Sequence, residues 1–221
     1  KPDSDTALNG IKRAETLDEI FSLLSEAKNL LKASELDKAR SLYKKALDID
    51  PETKSAKEQL KLVNQLIVER NFAAAMSRGY AALDINQFER ARTSFQQALK
   101  IKPKADEAIN AIRQAENKIT VHKINGLLST AKEYEQAESW SLAVKSYNEA
   151  LSLDANLVVA QQGKQFTSRR ASLDNNLQQT IAKPVRLSDN TVYSQASKLN
   201  QEAMSVTNPG PKLKKQITFL T

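Results

Sequence analysis

The chain has 221 residues, a formal net charge of +7, no cysteine, a single histidine and five glycines, with 40% apolar and 27% charged residues. This composition is globular rather than disordered, and the absence of Cys excludes disulfides, thiolate zinc sites and cysteine nucleophiles while fitting a reducing or an oxidising compartment equally. No run of 18 or more apolar residues occurs, so no stretch reads as a membrane-spanning helix.

In chain order, residues 1–15, KPDSDTALNGIKRAE, return at 102–116 as KPKADEAINAIRQAE. The chain thus opens partway through a repeat. A repeat lacking one neighbour exposes an apolar face, so a further helical hairpin upstream is expected, and that end also offers a place for a second copy to pair as a homodimer. Thr16-Leu17-Asp18-Glu19 has the form of a capping box that starts a new helix.

From there a 52-residue register governs the sequence: Ile20/Phe72/Ile124, Leu24/Met76/Leu128, Ala27/Gly79/Ala131 and Leu36/Phe88/Trp140 align. The first three columns lie on one helical face; the fourth is an apolar residue tucked under the connection that follows. The next helix carries Ala39, Tyr43, Ala46 and Leu47, repeated as Ala91, Phe95, Ala98, Leu99 and as Ala143, Tyr147, Ala150, Leu151. Small residues let a neighbouring helix approach while the ring fills the gap beside it, so each pair of helices reads as a hairpin.

These columns resemble the tetratricopeptide repeat family, whose helix-turn-helix pattern places a small residue mid-helix and then Ala, an aromatic, Ala and Pro. The resemblance covers residues 20–155 and implies an all-α fold, a superhelical stack of helical hairpins. Three departures stand out: no Trp early in the first helix, Ala155 where Pro51 and Pro103 predict a proline, and a period of 52 rather than about 34. The extra length follows the Pro, in segments of about five additional helical turns. They read as long helices that bend or break near residues 16, 70 and 120, a separate third helix being the alternative. The resulting divisions are 1–19 (last helix of an upstream repeat), 20–71, 72–123 and 124–182 (three repeats), and 183–221, a degenerate closing hairpin or cap. Lys183-Pro184 ends the helix after Ala155, Ser188 reads as an N-cap, and Asn208-Pro209-Gly210-Pro211 reads as a turn before the last helix.

Residues 164–221 hold nine Lys or Arg against three Asp or Glu, most of the net charge. Lys212, Lys214 and Lys215 form the tight basic cluster there, a candidate surface for an anionic membrane or nucleic acid, although the dispersed charge and few aromatics make nucleic acid the weaker case. His122 has no second His to complete a metal pair, and no phosphate loop or nucleophile motif occurs. No enzyme activity, cofactor or metal is expected. Carboxylates recur as partners of Lys or Arg near turns, as in Asp37/Lys38 and Glu89/Arg90, and Trp140 reads as packing beneath its turn.

Binding remains. The resemblance implies a concave groove lined by the first helices of the repeats, and places there Phe21, Lys28 and Lys32, then Ala73, Tyr80 and Asp84, then Asn125, Lys132 and Gln136. Three lysines around Tyr80 would attract an acidic, partly apolar protein segment. Leu24, Met76 and Leu128 occupy a position at which the family's carboxylate-clamp subtype needs a polar residue, which disfavours that mode. The reading is a protein-interaction scaffold within a larger, bacterial protein of the cytoplasm, periplasm or cell envelope; the alternatives are a structural spacer and an adaptor to an anionic surface.

Overall fold

The computed structural model describes residues 4–183 and 189–220. Among the described residues there are helices and turns and no strand: α1 Ser4–Glu15, α2 Leu17–Lys32, α3 Leu36–Ile49, α4 Lys54–Asp84, α5 Phe88–Ile101, α6 Asp106–Gln136, α7 Trp140–Leu153, α8 Val158–Ile181, α9 Asn190–Met204 and α10 Pro211–Leu220. The fold is all-α, with helices packed in neighbouring pairs. Two compact units divide at residues 116/117, within α6 rather than at the 123/124 repeat boundary.

In the first unit α2 pairs with α3, α3 with α4, and α4 with α5. The Ala39/Tyr43/Ala46 stripe of α3 is wholly buried. Ala39 and Tyr43 share a cluster with Ala27, Leu36, Val63 and Ile67. One period on, Ala91, Phe95 and Ala98 pack against Phe72, Ala75 and Met76 of α4 and against Ala108, Ala111 and Ala115 of α6. Each such ring contributes about 1.5–3 kcal/mol of burial. Gly79 is needed at its position, since a Cβ there would come within 2.2 Å of Phe95 Cε1.

The long segments are single helices. α4 and α6 each run 31 residues, about 46 Å, so the long-helix reading holds over a separate third helix, and neither helix breaks near 70 or 120. No Pro or Gly lies in residues 54–78 or 106–125, and sharp kinks need such a cause. What the sequence shows near residue 70 is a phase change: the buried positions step from Val63 and Ile67 to Phe72, Ala75, Met76 and Gly79. One half of α4 seats α3 and the other seats α5. At residue 16 the helix does break, yet the Thr16 side chain makes no cap hydrogen bond; the capping box is not formed, and Ile20 N–H donates to the Thr16 carbonyl at 3.1 Å.

The three turns between paired helices repeat to the atom. Ser34, Asn86 and Glu138, one period apart, adopt φ of 61°, 58° and 50°. The next residue's N–H reaches back to a helix carbonyl, Glu35 to Leu30 at 2.9 Å, Gln87 to Ala82 at 2.8 Å and Ser139 to Tyr134 at 2.8 Å, the bond that closes a helix through one left-handed residue.

In the second unit Ala131, Tyr147, Ala150 and Ala160 form the corresponding cluster. The Tyr147 hydroxyl donates to Glu135 at 2.9 Å, and burial, followed by that bond and the Glu135 charge, pushes its pKa up to about 12. Beside Ala155, where a proline was expected, Asp154 Oδ1 accepts from Asn156 N–H at 2.9 Å, as Asp50 Oδ1 does from Glu52 N–H at 3.0 Å, so the aspartate side chain shapes the turn and no proline is required. α9 and α10 close on the end of α8 through Leu173, Leu177, Ala203 and Leu213. The expected Ser188 cap and Pro184 stop lie outside the described residues; α8 ends at Ile181, and Asp189 caps α9 by accepting from Thr191 and Val192 N–H. Those bonds hold the Asp189 carboxyl below its ordinary value.

Candidate functional site

The C-terminal half of α4 bears an open groove of about 670 Å³. Because α4 turns its Phe72, Ala75, Met76, Gly79 face to α5 and α6, the adjoining positions Ala73, Ser77, Tyr80 and Asp84 come to the surface and line the groove. Tyr80 is 40% exposed but not loose: its ring meets Phe95 edge-on, with centroids 5.0 Å apart at 66°. Two further carboxylates line the groove, Glu69 one turn earlier on α4 and Glu107 from the start of α6, and among the described residues no Lys or Arg does. Glu69 accepts a hydrogen bond from Lys102 Nζ, and that ammonium stands 4.6 Å from the Phe72 ring centroid.

Of the residues selected from the sequence, Ala73, Tyr80 and Asp84 meet here. Phe21, Lys28 and Lys32 are exposed on α2 and do not line this groove. Asn125, Lys132 and Gln136 are exposed on the part of α6 that belongs to the second unit. The lining around Tyr80 within the first unit is thus acidic, and Lys28 and Lys32 are not part of it. Glu69 and Met76 were one turn from named positions on the same helix; Glu107 comes from a different helix, which the register of the groove positions does not reach.

The basic cluster of the last helix is also changed. Lys212 Nζ donates to Asp174 at 2.6 Å, and its backbone N–H and that of Leu213 donate to the two Glu138 oxygens at 2.6 and 3.2 Å. Gln216 adds a bond to Asp174 at 2.8 Å. Arg170 lies 4.7 Å from the Trp140 ring centroid and 4.0 Å from Glu138; burial pushes its guanidinium pKa down, the charges of Glu138 and Asp174 opposing. Lys212 thus serves to dock α10, and Lys214 and Lys215 are left exposed. Trp140 is buried, with Phe166 edge-on at 5.9 Å.

Turn carboxylates pair one helical turn on or with the next helix rather than with adjacent residues: Asp37 with Arg40 and with Arg70 of α4, Glu89 with Arg92, because neighbours in sequence do not face each other on a helix. His122 is exposed on α6. Among the described residues no group of three or more His, Cys, Asp or Glu is placed to hold a metal ion, and no helix is long and apolar enough to cross a membrane.

No curated protein and no solved structure matches the chain. Residues 73–105 match the family model described as tetratricopeptide repeat. That stretch begins with the groove-lining half of α4 and runs through α5 to the turn after it, so the helical hairpin that carries Tyr80 is a tetratricopeptide repeat.

Proposed function

We propose that the chain is a non-enzymatic protein-interaction scaffold that holds a segment of a partner protein in the groove on α4. Tetratricopeptide repeats are commonly interaction scaffolds and generally bind proteins. The observation that carries the reading here is Tyr80, a large ring kept 40% exposed and fixed by Phe95 in an open groove with small residues beside it. A half-exposed aromatic with one end packed loses little conformational freedom when a ligand covers it.

The test is selection from an unbiased peptide library on the immobilised 221-residue chain. Selected peptides are expected to lose about tenfold or more in affinity on Tyr80→Ala, the usual size for an aromatic anchor. Peptides indifferent to that change, or none selected at all, contradict the reading. A structural spacer is the second reading, favoured by the two unbroken 31-residue helices; it predicts an empty selection together with loss of the protein's function in the cell when α4 is broken by Pro.

A further inference from the structure

We infer that the segment held in this groove is cationic, a stretch with a Lys or Arg beside an apolar residue; the inference rests on the groove being the binding site. Three carboxylates line it, Glu69, Asp84 and Glu107, with no basic residue among them. Glu69 is occupied by Lys102, whereas Asp84 and Glu107 carry no ion pair among the described residues.

The wall of the groove already shows how it treats a cation. Glu69 and Phe72, one turn apart on α4, hold the Lys102 ammonium between a carboxylate and a ring. Two turns on, Tyr80 and Asp84 repeat that acid–aromatic pair on the same helix, at a spacing of four residues that puts both on one face, and Glu107 of α6 adds a second carboxylate. An ammonium or guanidinium brought there gains charge-assisted hydrogen bonds and an attraction to the ring. Ala73, Ser77 and Ala81 leave room beside the ring for an apolar neighbour. An acidic segment would meet unpaired like charge.

The choice is particular to this repeat. The register of Tyr80 holds Lys28 and Lys132 in the flanking repeats, and that of Asp84 holds Lys32 and Gln136. The acid–aromatic pair is therefore not demanded by the packing pattern, which the other repeats satisfy without it.

Two fluorescein-labelled twelve-residue peptides of Gly, Ser and Leu test this, one with three Lys and the other with three Glu at the same places. Each is titrated by anisotropy into the 221-residue chain and into its Asp84→Lys, Glu107→Lys and Tyr80→Ala variants, with melting curves to confirm folding. The Lys peptide is expected to bind, to weaken about tenfold or more with each charge reversal and with Tyr80→Ala, and to weaken steeply with salt. If the Glu peptide binds as well or better and is lost on Tyr80→Ala, the groove stands and the cationic preference falls. If both peptides bind regardless of Tyr80→Ala, or neither binds, the groove reading falls and this inference with it.

Discussion

Asn86 and Glu138 occupy the same place in successive hairpins, 52 residues apart, with φ of 58° and 50° and the same backbone bond closing the helix before them. Asn86 is exposed; Glu138 is 6% exposed, and its carboxylate receives the first free N–H groups of α10. Pro211 has no N–H to offer at the first helical position, so the bonds fall to Lys212 and Leu213. A Cβ at Gly210 would meet the carboxylate carbon of Glu138 at 2.4 Å, which explains why a glycine precedes that proline. The same backbone device thus ends a helix in one repeat and, in the other, both ends a helix and anchors the last element of the chain. A repeat fixes backbone and packing; the side chain at an exposed register is free to acquire a second task.

Replacement of the anchor has the largest expected effect. Glu138→Ala removes two charge-assisted bonds to the α10 terminus and leaves the buried Arg170 facing one carboxylate fewer, a loss of about 2–4 kcal/mol in the stability of the second unit. Denaturant unfolding measures it, and limited proteolysis should cut first around residues 205–210. The same change in neither midpoint nor cleavage would show that α10 is held by its apolar contacts alone.

A sign reversal sharpens the comparison further. Glycine adopts the left-handed conformation without penalty, so Ser34→Gly is expected to stabilise by about 1 kcal/mol and Asn86→Gly by about half that, Asn being the better tolerated residue there. Glu138→Gly has the same backbone benefit and still destabilises, by about 1–3 kcal/mol, because the anchor is lost. Equal shifts at all three positions in thermal melts would contradict the special role of Glu138.

The last effect is alkaline. The Tyr147 pKa is pushed up to about 12, above its ordinary value near 10, so the folded state holds the proton more tightly. Its stabilisation is whole below pH ~10 and is lost as pH rises from about 10 through about 12. Tyr43 is shifted upward too, by burial, while the register between them holds Phe95, which does not titrate. Tyr147→Phe should flatten the decline of stability across that interval; an unchanged slope would mean that its hydroxyl is solvated.

The hairpins were legible because Ala39, Tyr43 and Ala46 and their two copies are buried on one face, and burial is what a 52-residue recurrence of small and aromatic residues preserves. The continuity of α4 was not: its buried face changes phase between Ile67 and Phe72, and a phase change in a sequence looks like a boundary although a single helix can serve two neighbours. The groove was half legible. Ala73, Tyr80 and Asp84 follow from register, but Glu107 enters from α6, and register alone does not say that Lys28 and Lys32 of α2 are not among the lining residues. Glu138 was illegible, because its partners Lys212 and Leu213 come from a helix with no counterpart in the repeats, and Arg170 stands where the register holds Leu66 and Lys118.

Hydrogen exchange of the 221-residue chain with and without the Lys-bearing peptide tests the central claim most directly. The account predicts added protection confined to residues 69–84 of α4 and to the first turn of α6 around Glu107, absent in Tyr80→Ala. Protection on α2 around Lys28 and Lys32, around residues 212–215, or nowhere would contradict it.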